Sequence, residues 1–233
     1  QRRINCITAY NCLFASIVDD LVDIILVGDS FSMVVDGQKT TIPATLDETI
    51  YHCKSVVRGA EKSIVIADMP FGSFEQSKEQ AFKNVTKVMK KTGVTGVKME
   101  GGAELAETVH FLVQRGIPVM AHIGLMPQRI NALGSFKKVK DRDKILEDFR
   151  AVEEAGAFSV VVENIPLEIM QEIQGMKKSD IITVSIGSGN ADGQVAVLED
   201  VCGLTEKSPP FIKRRADVRG IIHKATEEWT KGH

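Results

Sequence analysis

Short apolar runs alternate with longer amphipathic stretches along the whole chain. The runs cover residues 4–9, 24–27, 64–67, 96–99, 119–121, 159–162 and 181–186. They are rich in β-branched residues and continuous rather than alternating, as expected of strands buried on both faces of a parallel sheet. The stretches between them carry helix signals. Thr45-Leu46-Asp47-Glu48 is a capping box opening a helix toward Val57, and Ser77-Lys78-Glu79-Gln80 opens another toward Lys91, with Gly93 as its stop. Helices are expected over 103–115 and 143–155, ended by Gly116 and Gly156, and Pro166 suits the first turn of the next. Gln114-Arg115-Gly116-Ile117-Pro118 and Glu154-Ala155-Gly156-Ala157-Phe158 repeat one device, helix through Gly into strand.

Seven strand–helix steps are therefore well marked, and an eighth strand near 194–197 is weaker. Sustained alternation without a compositional break predicts one α/β domain over 1–233, a single (β/α)8 TIM barrel. A doubly wound open sheet is the alternative. From Ser208-Pro209-Pro210 onward the pattern changes. Residues 208–233 read as a C-terminal extension with one amphipathic helix over 218–230, packed on the barrel or on a neighbouring subunit.

The strands end in ionisable residues. Asp29 follows the second run, Asp68 the third, Glu100 the fourth, His122 the fifth and Glu163 the sixth. In a barrel these ends share one face, the face that carries chemistry. One such acid is often only the N-cap of the next helix. Four at one mouth would repel and raise one another's pKa, and a divalent cation would relieve them. All-oxygen donors favour a hard ion, Mg²⁺ ahead of Mn²⁺, over Zn²⁺. Lys98 and Glu100 lie two apart on one strand and so point the same way. A lysine aimed into a barrel needs an anion, either a structural partner such as Glu163 or Asp68 or a substrate. Gly28-Asp29-Ser30 offers N–H groups and a hydroxyl that suit a carboxylate. Gly187-Ser188-Gly189 after the seventh strand is a weak phosphate signal.

Composition removes other classes. The 233 residues are 43% hydrophobic and 26% charged, with net charge −2 from 29 basic and 31 acidic residues. That leaves neither a disordered chain nor a basic field for nucleic acid or membrane, and no apolar run is long enough to span a bilayer. Cys6, Cys12, Cys53 and Cys202 form no C-x-x-C pair and read as reduced core thiols. His52, His110, His223 and His233 have no partner at ligand spacing, and Lys83, Lys87, Lys90 and Lys91 suggest one solvated helix face. The sequence opens on Gln1-Arg2-Arg3 without Met, so a preceding segment is expected, and no apolar run follows to make it a secretory signal.

Several segments resemble ketopantoate hydroxymethyltransferases: Leu26-Val27-Gly28-Asp29-Ser30, Thr45-Leu46-Asp47-Glu48 with Tyr51-His52, Ala67-Asp68-Met69-Pro70-Phe71-Gly72-Ser73, Val97-Lys98-Met99-Glu100-Gly101-Gly102, Met120-Ala121-His122-Ile123-Gly124-Leu125 with Pro127-Gln128, Glu153-Glu154-Ala155-Gly156-Ala157-Phe158, and Asp192-Gly193-Gln194. The likeness runs from about Ile7 to Lys213. It implies a barrel of the phosphoenolpyruvate/pyruvate group, and a cytoplasmic, Mg²⁺-dependent one-carbon transferase of pantothenate synthesis. Such an enzyme moves a hydroxymethyl group from 5,10-methylenetetrahydrofolate to 3-methyl-2-oxobutanoate through a Mg-stabilised enolate, giving 2-dehydropantoate. It also implies a homo-oligomer, typically a decamer. By the same resemblance Asp29, Asp68 and Glu100 are metal ligands, the last directly or through water. Asp29, Ser30, Asp68 and Lys98 contact the keto acid, Glu163 is the proton acceptor, and His122 lies near the hydroxymethyl end of the product.

The chain departs from the family pattern at Asn11, where Asp is usual, at Ser32, where Gly is usual, and at Ser188, where Ala is usual. The segment Gly134-Ser135-Phe136-Lys137-Lys138-Val139 looks several residues short, which bears on access to the mouth. Two other readings compete. A Mg²⁺-dependent lyase or phosphomutase of the same barrel group would be expected to place a cysteine in a gating loop, and none of the four follows a strand at the mouth. A non-catalytic binding barrel would need no base at Glu163.

Overall fold

The computed structural model describes residues 3–232; Gln1, Arg2 and His233, expected to be a surface histidine, lie outside the described residues. Eight strands form a closed barrel in chain order: β1 Ile4–Thr8, β2 Ile24–Val27, β3 Ile64–Asp68, β4 Gly96–Glu100, β5 Val119–Gly124, β6 Ser159–Glu163, β7 Ile182–Ile186 and β8 Gly193–Ala196. Neighbouring strands pair in parallel. The open sheet is thereby excluded, and the weak eighth strand is present.

The barrel interior is plugged by Cys6, Ile24, Leu26, Ile66, Met120, Val161, Val184 and Val195. Because side chains alternate along a strand, these residues fix which positions face inward on each strand. The outer faces of the strands are covered by helices. Leu46–Val57 opens on Thr45 with both halves of the capping box made. Lys78–Thr92 ends on Gly93, whose φ of 80° is the left-handed stop a glycine supplies without strain. On that helix Lys83, Lys90 and Lys91 are exposed, and Lys87 reaches Asp47 at 3.0 Å.

Three differences from the sequence reading have physical causes. The helix expected from residue 103 begins as a 3-10 turn, Ala103–Leu105, before the α-helix Ala106–Val113. A helix at Cys12–Val18 is present although nothing in the apolar pattern announced it. It buries the small Ala15 and Val18 and exposes Leu13 and Ile17, inverting the usual pattern, and it is started by Asn11, whose side chain accepts from the Phe14 N–H. Asn11 thus performs at that position a capping role open to Asp. The third is Ser32, which is buried and donates to the Thr40 carbonyl at 3.2 Å.

The chain divides into two compact units, one through Val195 and one from Ala196 onward. In the second, the helix Val218–Lys231 is capped by Asp217 and contains no buried residue; Ile221 and Ile222 are exposed. No described helix is long and apolar enough to cross a membrane.

Candidate active site

Strand register brings the ionisable residues together. Asp68 on β3 pairs with Lys98 on β4, Glu100 pairs with His122 on β5, and Gly124 pairs with Glu163 on β6. Asp68 stands two residues beyond the inward Ile66, His122 two beyond Met120 and Glu163 two beyond Val161, so all three share the inward parity of the core plug. Asp29 lies two residues past β2, and its backbone N–H donates to Asp68 Oδ2 at 3.2 Å. The five strand-end residues expected at one mouth are therefore there, with Lys98 among them. Ser30 sits beside Asp29, its hydroxyl 2.8 Å from that of Tyr10.

Lys98 Nζ lies 2.6 Å from Asp68 Oδ1 and 3.8 Å from Glu100 Oε1. Its partners are thus Asp68 and Glu100, not Glu163. Burial alone would depress the ammonium pKa, but Asp68, Glu100 and Asp29 outweigh it and hold the group charged. Burial, together with the facing Asp68, pushes the Asp29 carboxyl up to about 7, against the pull of Lys98 and Gln128. Burial likewise holds Glu100 well above the ordinary range, with Lys98 opposing and Asp29 and Asp68 adding to the rise. Three acids crowd around one lysine, and the rise at Asp29 and Glu100 is the result.

His122 sits between two of these carboxylates, Nδ1 3.6 Å from Glu100 and Nε2 3.3 Å from Glu163, yet neither ring nitrogen makes an aligned hydrogen bond. Burial, then Lys98, lowers its pKa against the Glu163 carboxylate, so the ring is neutral at pH 7. Glu163 is the open member of the group. Its side chain is 15% exposed, against 2–4% for Asp68, Lys98, Glu100 and His122.

The surrounding turns fix these side chains. Gly124 has φ of 87°, and a Cβ there would stand 2.4 Å from the Glu163 carbonyl oxygen, so the close approach of β5 to β6 requires glycine. Asn164, directly after Glu163, is the non-glycine residue among those described with positive φ, 47°. Its carbonyl accepts from Val139 N–H at 3.0 Å, which ties the short 134–140 segment to the Glu163 turn. Ser188 is buried, donates to the Val162 carbonyl at 2.9 Å and accepts from Ile165 N–H at 3.1 Å, bracing the same turn from β7. Behind Glu100, Asp148 accepts from Ala103 N–H and from Lys144, both at 2.8 Å. Gln128, which carried no role in the sequence reading, donates its amide to Asp29 and its backbone N–H to Glu100.

The remaining candidates are structural. His52 Nδ1 donates to the Tyr10 carbonyl, 2.8 Å away, and the ring stacks near Phe31, while His110 and His223 are exposed. The four cysteines are free; burial pushes the Cys6 thiol up to about 12. A cleft of about 660 Å³ lies at the opposite end of the barrel, lined by Arg3, Lys177, Ser179 and Asp192 among others, away from the acids.

Asp29, Asp68 and Glu100 offer only carboxylate oxygens, the donor type of hard cations. Among the described residues no group of three or more His, Cys, Asp or Glu side chains is arranged to hold a metal ion by itself. Mg²⁺ usually takes one or two carboxylates and fills its shell with water and substrate oxygens. The raised Asp29 and Glu100 carboxyls are the groups a cation would relieve.

Over residues 1–232 the chain matches the family model described as ketopantoate hydroxymethyltransferase. It is 48% identical over 229 residues to the 3-methyl-2-oxobutanoate hydroxymethyltransferase of Paramagnetospirillum magneticum, covering 96% of this chain and 83% of that one. The protein of the same name from Cereibacter sphaeroides is 49% identical over 218 residues, covering 91% and 78%. Among solved structures, phosphoenolpyruvate phosphomutase from Streptomyces platensis subsp. rosaceus superimposes with a TM-score of 0.69 at 15% identity, covering all of this chain and 85% of that one. Phosphonopyruvate hydrolase in complex with oxalate and Mg²⁺ gives 0.62 at 11% identity, covering 83% and 75%. At these identities the two structures speak for the barrel fold alone.

Proposed function

The chain belongs to the ketopantoate hydroxymethyltransferase family, and from that premise we propose that it transfers a hydroxymethyl group from 5,10-methylenetetrahydrofolate to 3-methyl-2-oxobutanoate, giving 2-dehydropantoate. The observation that carries the reading is one open carboxylate, Glu163, set beside a buried group of three acids and one lysine at the barrel mouth.

Asp29 and Asp68, with Glu100 directly or through water, would hold Mg²⁺, which when bound supplies Lewis acidity toward the 2-oxo group of the substrate. Glu163 accepts the C3 proton; the electron pair of that C–H bond becomes the C2–C3 double bond, and the carbonyl π pair moves onto its oxygen as the enolate forms. Lys98 keeps its charge and offers it to the carboxylate or oxygen of the keto acid. Ser30 and the N–H groups beside Asp29 orient the same end. C3 then bonds to the methylene carbon of the folate; over the transfer both C–N bonds of that carbon break, water supplies the hydroxyl oxygen, and the two folate nitrogens take up the substrate proton and one water proton, releasing tetrahydrofolate. By the family resemblance His122 lies near the hydroxymethyl end of the product, and with no aligned partner its ring is left to accept or donate one hydrogen bond there.

Isotope exchange without folate tests the base directly. The wild type should exchange the C3 proton of 3-methyl-2-oxobutanoate with deuterium from solvent, whereas Glu163→Gln should lose roughly 10²–10⁴-fold in that rate, the range for a removed general base. Unimpaired exchange in the variant would assign the proton to another group.

A further inference from the structure

The segment between the short helix Ile130–Leu133 and the helix Arg142–Glu154 has no part in the chemistry proposed above, yet it is fastened beside the base. Val139 N–H donates to the Asn164 carbonyl at 3.0 Å, and the Asn164 side-chain amide donates to the Phe136 carbonyl at 3.4 Å. Asn164 directly follows Glu163, so residues 136–139 run past the end of β6 at the mouth. Phe136 is 47% exposed. Lys137, Lys138 and Lys140 are exposed as well, and among the described residues no acid forms an ion pair with any of them. The next acids along the chain are engaged: Asp141 caps the following helix, and Asp143 lies 2.9 Å from Arg142.

An aromatic ring followed by three unpaired ammonium groups thus stands on the rim of a mouth built of carboxylates. The folate carries its one-carbon unit between N5 and N10, where the pterin meets the p-aminobenzoyl group. With that carbon at C3 of the keto acid, the flat benzoyl ring and then the glutamate carboxylates extend outward. The mouth acids repel those carboxylates, and cations on the rim offset the repulsion. Flat ring first and anions beyond it is also the order in which Phe136 and the lysines follow one another along the segment.

We propose that Lys137, Lys138 and Lys140 bind the glutamate tail of the folate, with Phe136 against the p-aminobenzoyl ring, and that the segment thereby favours folates with several γ-linked glutamates. This rests on the folate reading above and names the part of the chain that holds that substrate. An exposed pair is worth at most about fivefold in affinity, so one contact alone discriminates little. A monoglutamate offers two carboxylates and a triglutamate four, so three cations in four positions act most on the longer tail.

Calorimetric titration with tetrahydrofolate monoglutamate and with its γ-linked triglutamate measures the ratio of the two affinities, and thermal melting checks folding. The wild type should bind the triglutamate roughly tenfold more tightly, the product of two added exposed pairs. The triple variant Lys137→Gln, Lys138→Gln, Lys140→Gln should lose most of that advantage, whereas the triple replacement by Arg, which keeps the charges, should retain it. Rising salt should erode the advantage in the wild type. The single changes Lys137→Gln and Lys138→Gln should each remove part of it, and they decide the matter if the triple variant does not fold. A wild type that binds both forms equally, or a Gln variant that keeps the full advantage, would overturn this inference alone. A wild type that binds neither form would overturn the folate reading itself, and this inference with it.

Discussion

Two buried aspartates at opposite ends of the barrel show what separates a structural acid from a reactive one. Asp19, in the loop leading into β2 at the end away from the mouth, accepts backbone N–H bonds from Glu61, Lys62 and Ser63 at 2.8–3.1 Å. Burial works to raise its pKa, but these donors outweigh it and hold the carboxyl below the usual range. Asp192 behaves alike: burial is outweighed by Lys177 and by the N–H and hydroxyl of Thr183. Asp29 at the mouth is covered to a similar degree, yet it faces Asp68 and is pushed up to about 7. The residue type is the same and the sign is opposite. At Asp29 burial leads the rise and the facing Asp68 adds to it, whereas at Asp19 the backbone donors outweigh burial. The far end uses its acids to pin loops, while the mouth sets acids against one another around Lys98.

The largest expected effect separates the ends by activity. Asp29→Asn removes a proposed cation ligand and one of two facing like charges. Turnover should fall roughly 10²-fold or more, the size seen when a group stabilising transition-state charge is lost. The metal-free variant should be at least as stable as the wild type in urea, because the change relieves repulsion. A variant that keeps full turnover, or one that unfolds far more readily, would mean that Asp29 is a structural acid like Asp19.

Asp19→Asn should do the reverse. The amide has one oxygen where the carboxylate has two, and its NH₂ would face backbone N–H groups. Loss of charge-assisted bonds at a covered site should reduce stability by about 2 kcal/mol, read as a lower urea midpoint, with turnover per folded molecule unchanged. A loss of turnover without a loss of stability would erase the distinction between the two ends.

How much of this could be read from the sequence follows from the range of each interaction. The strands were legible because burial on both faces writes a continuous apolar run, and the acids because they terminate those runs. Lys98 and Glu100 could be placed on one face by spacing alone. Gln128 could not, since its partners Asp29, Met69 and Glu100 lie 99, 59 and 28 residues away and meet only when the barrel closes. Asp19 carried no signal for the same reason, its donors lying 42 to 44 residues on. The Cys12–Val18 helix was hidden because it buries Ala15 and exposes Leu13 and Ile17, so its periodicity points the wrong way. Ser188 read as part of a glycine turn, whereas its hydroxyl ties that turn to β6 at Val162 and to Ile165 just beyond it.

The smallest effect expected is a pH dependence that follows from the donors around Asp19. Its folded pKa lies below the ordinary 3.8, so its contribution is fully present above the unfolded value and is lost as pH falls through the lower, folded one. At neutral pH the stability gap between the wild type and Asp19→Asn should therefore be at its full size. It should begin to shrink below about pH 4, where the unfolded carboxylate starts to bind protons, and close at more acid pH. Because the amide of Asp19→Asn does not titrate, subtracting the two denaturation curves cancels the other acids that the two proteins share. Urea midpoints of both proteins from pH 7 to pH 3 give the measurement. A gap that stays constant across that range would show that the loop at Glu61–Ser63 binds the oxygen atoms of Asp19 as it would any acceptor, without favouring the anion. The contrast with the mouth would then rest on the repulsion among the mouth acids alone.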